Sequence, residues 1–125
     1  MSNLMSFNGD IHLAEEFLRL RDKYDIKHAI ETGTYLGKTT KWLSENFKTV
    51  ETIEINKVYF DEAAEYIKDC KNVKMHFGNS VTFLPLIVKK ESLVFLDAHW
   101  LHHNPLLEEL AILMNIQPQG IVIHD

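Results

Sequence analysis

The residues best suited to chemistry in this chain stand at the ends of apolar runs. Residues 29–39, Ala-Ile-Glu-Thr-Gly-Thr-Tyr-Leu-Gly-Lys-Thr, close a hydrophobic strand and open a helix. Glu31 sits where the strand should end, Gly33 and Gly37 free the backbone for a tight turn, and Lys38, Thr39 and Thr40 start a helical pattern. Such a turn aims backbone N–H groups at a ligand, and the positive end of the helix favours an anion there. A second expected strand, residues 49–54, ends on Glu54, and a later apolar run, residues 92–97, ends on Asp97. A carboxylate about 20 positions after a glycine turn is placed to accept hydrogen bonds from the two vicinal hydroxyls of a ribose, one oxygen for each donor. After Asp97 the stretch Ala98-His99-Trp100-Leu101-His102-His103 supplies imidazoles, which titrate near neutrality and can take a proton from a hydroxyl.

Spacing separates three readings of the turn. The dinucleotide fingerprint needs G-x-G-x-x-G, and only Gly33 and Gly37 are present. A P-loop needs a glycine five places before Gly37-Lys38-Thr39; that position is Thr32, and Gly33 comes one place too late. What fits is acidic-x-Gly-x-x-x-Gly, from Glu31 to Gly37, and with it the chain resembles motif I of the class I S-adenosylmethionine (SAM) methyltransferases. It is most similar to the catechol O-methyltransferase-like branch, which has a tyrosine between the glycines, Tyr35 here, and a hydroxyl residue two after the second, Thr39 here. The similarity runs from about Ile26 to Asp125 through four motifs in order.

The resemblance implies roles for particular residues. Glu31, Gly33, Tyr35, Gly37 and Thr39 would surround the methionine end of SAM, Glu54 would hold its ribose, and Ile55 would pack on its adenine. The corner Gly78-Asn79-Ser80 approaches the adenine edge in that family, and Ser80 is also a candidate N-cap for the helix that follows. The family's fourth strand ends Asp-His-Trp-Lys, where the Asp binds magnesium, the His and Trp border the adenine and the Lys is the general base. Asp97, His99 and Trp100 take the first three places, but Ala98 is inserted and Leu101 stands where the Lys would be. His102 and His103 are then the candidate bases. Asp97 and Asp125 offer hard oxygen ligands to magnesium. A zinc cluster of His99, His102, His103 and Asp97 is the weaker alternative, since adjacent histidines rarely converge on one ion and no cysteine is near.

The elements that must position these residues follow from periodicity. Asp10 caps a helix whose Leu13, Phe17, Leu20 and Tyr24 recur on one face. Strands are expected at 26–30, 49–54, 73–77, 92–97 and 121–125, alternating with helices at 39–47, after Asn56, at 81–88 and after Asn104-Pro105. Leu106, Leu110 and Leu113 form the buried stripe of the last helix, and Cys70 reads as core rather than nucleophile. The expected fold is α/β, a Rossmann-like doubly wound parallel sheet in the order 3-2-1-4-5 with helices on both faces. It forms one domain over 1–125 and lacks the last two strands of the full methyltransferase fold, so a C-terminal truncation is expected.

Composition narrows the partners. A net charge of −5 with basic residues dispersed along the chain argues against nucleic acid. One cysteine suits a reducing compartment, and with neither a leader pattern nor an apolar run of membrane length the protein is expected in the cytoplasm, off the membrane. The expected activity is methyl transfer from SAM to a hydroxyl of a small molecule or sugar, assisted by magnesium. The alternatives are a non-catalytic SAM-binding module and a nucleoside-triphosphate-binding protein, the latter kept open by the Walker-B-like run before Asp97. An apolar fifth-strand edge would invite a second copy of the chain.

Overall fold

The computed structural model describes residues 7, 9–98 and 105–123. Their order is α1 (Ile11–Tyr24), β1 (His28–Thr32), α2 (Lys38–Asn46), β2 (Thr49–Glu54), α3 (Lys57–Tyr66), β3 (Val73–Phe77), α4 (Ser80–Ile87), β4 (Ser92–Leu96), α5 (Leu106–Ile116) and β5 (Gly120–Ile123). All strand pairs are parallel, in the order β3-β2-β1-β4-β5. That is the expected doubly wound sheet.

Local chemistry sets the boundaries. The Asp10 carboxylate accepts from the Leu13 N–H and starts α1, and Asn56 accepts from Val58 and Tyr59 to start α3. Helix α1 ends on Asp25 in the left-handed region (φ 51°), and the Ile26 N–H bonds back to the Arg21 carbonyl. This closing turn uses residues that the sequence assigned to the first strand, so β1 runs from His28 to Thr32 rather than over 26–30. Glu31 therefore lies within the strand, paired with Thr52 and Phe95, instead of at its end. A second correction concerns α4. Its cap is Asn79, whose side chain accepts from the Val81 N–H at 2.7 Å, and Ser80 is already helical and buried. Pro105 occupies the cap position of α5; Asn104, expected there, lies outside the described residues.

Two cores sandwich the sheet. On one face Phe7, Phe17, Trp42, Leu43 and Phe47 pack on Val50, Leu93 and Phe95; on the other, Leu84, Ile87 and Leu113 of α4 and α5 pack on Ile30, Ile53, Val94 and Leu96. β4 is buried along its whole length, as a central parallel strand must be. Among the described residues β3 and β5 are the edges, and Ile121 and Ile123 of β5 are partly exposed.

Phe7 is the keystone of the first core. Its ring lies 4.9 Å from Phe17, 5.0 Å from Trp42 and 5.3 Å from Phe95, and its N–H donates to the Thr39 hydroxyl at 2.8 Å. Truncating a fully buried phenylalanine costs about 3–5 kcal/mol. Phe7→Ala is therefore expected to lower the urea midpoint by a corresponding amount, and a loss below about 1 kcal/mol would show that this ring is not part of the packed core.

Candidate functional site

In an open parallel sheet the crevice lies beyond the carboxyl ends of the strands, where neighbouring connections depart to opposite faces. Here that point is between β1 and β4. The two strand ends are held very close: the Asp97 N–H donates to the carbonyl and hydroxyl of Thr32, at 3.2 and 3.1 Å. Gly33, next in the chain, has φ +84°, and a Cβ there would fall 2.5 Å from the Asp97 carbonyl oxygen. Only glycine accommodates both constraints. The Gly33 N–H reaches the Ile53 carbonyl of β2 at 2.8 Å, so the turn begins anchored to three strands.

The turn then curls through Tyr35 (φ 53°) and Gly37 (φ 88°), with the Gly37 N–H on the Thr34 carbonyl. Among the described residues no side chain caps α2 after Gly37. A Cβ on Gly37 would press on Ile67 and Ala63 of α3, so this glycine also lets α2 and α3 approach. Lys38, the residue a P-loop would aim at phosphates, places its ammonium 4.8 Å from the centre of the Tyr66 ring.

Glu54 closes the site from the side. One carboxylate oxygen accepts from the Tyr35 N–H at 2.7 Å and the other from the Asn56 N–H at 2.9 Å. A carboxylate oxygen has two lone pairs, so each retains acceptor capacity for a further donor. The side chain is 7% exposed, yet it is bordered by apolar groups that are not buried: Ile55, Tyr35, Tyr59 and Phe77. Tyr35 and Tyr59 meet edge to face at 4.8 Å. A buried, oriented carboxylate rimmed by exposed apolar surface is what a nucleoside would cover.

Glu31 lies deeper than the sequence suggested. It is 1% exposed, beneath α2, and accepts from the hydroxyls of Thr40 (2.5 Å) and Thr52 (2.8 Å). The Thr34 and Thr52 hydroxyls in turn lie 2.6 Å apart, and either can donate. The chain Thr34, Thr52, Glu31 thus runs from the turn into the core. Burial pushes the Glu31 carboxyl up to about 8, the two hydroxyls oppose that shift, and the negative charges of Asp97 and Glu54 add to it. Glu31, Glu54 and Asp97 therefore sense one another, but Glu31 supports the turn from below instead of lining a rim.

The other expected residues fall into three groups. Thr39 accepts from the Phe7 N–H, Asn79 caps α4 and Ser80 donates to Glu109 at 2.5 Å, so each of these side chains has a structural bond. Gly33, Tyr35, Gly37, Glu54, Ile55 and Asp97 gather at the carboxyl edge of β1, β2 and β4. His99, Trp100, His102, His103 and Asp125 lie outside the described residues. Among the described residues no group of three His, Cys, Asp or Glu side chains could hold a metal ion. Sequence reasoning missed the threonine relay and Tyr59; the signal for the first was the threonine Thr52 between the acids Glu51 and Glu54 in a strand that must lie beside β1.

No protein-family model matches the chain, and no curated protein matches it. Solved structures do. The O-methyltransferase TomG from Streptomyces achromogenes, involved in tomaymycin synthesis and solved in complex with SAM, superposes with a TM-score of 0.70 at 20% identity, over 90% of this chain and 53% of that one. The methyltransferase PaMTH1 from Podospora anserina, bound to S-adenosylhomocysteine (SAH), gives 0.73 at 15% identity over 98% and 57%. A precorrin 8w decarboxylase from Methanobacterium thermoautotrophicum gives 0.67 at 18% identity over 90% and 61%. The chain spans about half the length of the first of these. At such identities the likeness shows the fold, which is the α/β Rossmann-like fold of class I methyltransferases; function has to be argued from the site.

The Glu31 environment makes a prediction about pH. Its folded pKa lies above the unfolded value, so the folded state holds a proton that the unfolded chain releases. Stability is then full below the ordinary carboxylate range and declines as pH rises towards about 8. The melting temperature is expected to fall over that window, and Glu31→Gln, which keeps an acceptor for Thr40 and Thr52 without a titrating group, should remove most of the fall. An unchanged slope in the variant would mean that Glu31 is ionised in the fold.

Proposed function

We propose that this chain is the cofactor-binding part of a SAM-dependent O-methyltransferase that acts on a hydroxyl of a small molecule or sugar. The observation that carries this reading is the Glu54 carboxylate, fixed by the Tyr35 and Asn56 N–H groups beside the Gly33–Gly37 turn at the switch point of the sheet. Similar structures bound to SAM or SAH support it.

The residues present suit an adenosyl group. Glu54 offers two oriented acceptors to a vicinal diol, and Ile55 gives apolar surface to one face of a base. When bound, SAM supplies an electrophilic methyl: the S–CH₃ bond breaks with its electron pair going to sulfur while the acceptor oxygen forms the new C–O bond. The chain's own contribution is alignment of donor and acceptor and exclusion of water. His102 or His103 would accept the hydroxyl proton in this reading. For magnesium, Asp97 is the one described candidate ligand, and Asp125 lies outside the described residues. A cytoplasmic location and pairing of two copies along the outer edge of β5 belong to the same proposal.

Calorimetric titration with SAH tests it. The wild-type chain should bind SAH and give no comparable heat with magnesium ATP. Removing two charge-assisted acceptors costs roughly 1.5–3 kcal/mol per bond, so Glu54→Ala should weaken SAH at least about tenfold in a protein whose circular dichroism shows it folded. Unchanged SAH affinity in a folded Glu54→Ala, or preference for magnesium ATP, would overturn the proposal.

A further inference from the structure

The opposite end of the sheet carries a second candidate site. Lysines that look dispersed in the sequence converge at the amino edge of the strands: Lys48 just before β2, Lys71 and Lys74 at the start of β3, Lys89 and Lys90 before β4. The carboxylates Glu54 and Asp97 stand at the other edge. Between these lysines is an open cleft of about 360 Å³, lined by Lys71, Lys74 and Lys89 with His28, Glu51 and Asn72.

Elsewhere lysines are engaged. Lys27 pairs with Asp25, Lys57 with Asp61 and Lys68 with Glu65, while Lys38 and Lys41 lie over the Tyr66 ring. Among the ion pairs of the described residues none includes Lys71, Lys74 or Lys89. The acid in the cleft is not available to them as a simple counter-ion, because Glu51 is shared by two imidazoles: His76 Nε2 is 2.9 Å from one oxygen and His28 Nε2 is 3.1 Å from the other. The second contact is close but misaligned, which leaves His28 Nε2 buried without a hydrogen bond, while Nδ1 lies 2.7 Å from the Thr49 hydroxyl. The cleft is thus lined by exposed cations together with Glu51 and a partly satisfied His28.

We propose that this cleft binds a small multivalent anion of the phosphate-bearing class, held by Lys71, Lys74 and Lys89. The volume lies at the lower end of the range of about 300–1,000 Å³ typical of small-molecule sites. Lysine ammonium groups act as point charges that donate to phosphate oxygens in several geometries. In a chain of net charge −5, a local cluster of cations is a focus for a compact anion, whereas a long polyanion would meet repulsion beyond it. His28 supplies a reporter. Burial lowers the His28 pKa most, Glu51 raises it and the Lys89 charge lowers it further. An anion on Lys89 would offset the last of these, so His28 should protonate more readily when the site is filled. The cleft is at the other end of the strands from the glycine turn, and its assignment does not rest on the methyltransferase reading.

The test uses the whole chain and inorganic pyrophosphate at low, constant ionic strength. Saturable shifts are expected at the backbone amides of Thr49, Asn72, Lys74 and Lys89, together with an upward move of the His28 ring titration. The triple variant Lys71→Gln, Lys74→Gln, Lys89→Gln should lose at least tenfold in affinity with its melting temperature kept; should it fail to fold, each single variant is read in the same way. Shifts spread evenly over Lys23, Lys57 and Lys68, an affinity unchanged in the variants, or a short oligonucleotide preferred to pyrophosphate at these residues would overturn the assignment.

Discussion

The hydrogen bond from the Tyr35 N–H to Glu54 joins the two parts of the molecule that have to be in register. One is a turn built on positive φ angles at Gly33, Tyr35 and Gly37, which costs conformational energy in isolation. The other is the carboxyl end of β2. With the Gly33 N–H on Ile53 and the Asn56 N–H on the second oxygen of Glu54, the turn is tied to β2 at several points, and a buried charge is oriented at the same time. A single carboxylate therefore organises backbone and presents acceptors, which explains why it is nearly buried and still borders exposed aromatic and aliphatic surface.

Beneath that bond, burial outweighs hydrogen bonding. Glu31 receives two short hydroxyl bonds that favour its ionised form, yet desolvation wins and the group holds its proton to about pH 8. A neutral acid under the turn leaves Glu54 and Asp97 as the charges at the carboxyl edge. At the other end of the strands several lysines gather around a cleft that also contains Glu51.

Much of this was legible in the amino-acid order. β2 and β3 fall where the apolar pattern put them, because short strands bounded by turn residues have little freedom to slide. The sheet order followed from alternating strands and helices together with a glycine turn after the first strand. β1 was misplaced by two residues because Asp25 ends α1 in a left-handed conformation, which sequence pattern does not mark. The sequence offers Ser80 as the cap of α4, but either of two adjacent side chains can cap, and Asn79 takes that place while Ser80 turns to the buried Glu109. The gathering of lysines was invisible for another reason: residues far apart in the chain become neighbours only once parallel strands are laid side by side.

The central claim is that an adenosyl group sits against Glu54, and a crystal structure of the chain grown with SAH addresses it directly. The account predicts ribose hydroxyls within hydrogen-bond distance of both Glu54 oxygens and the amino-acid end over the Gly33–Gly37 turn. SAH bound elsewhere, or Glu54 facing no ligand atom, would contradict it.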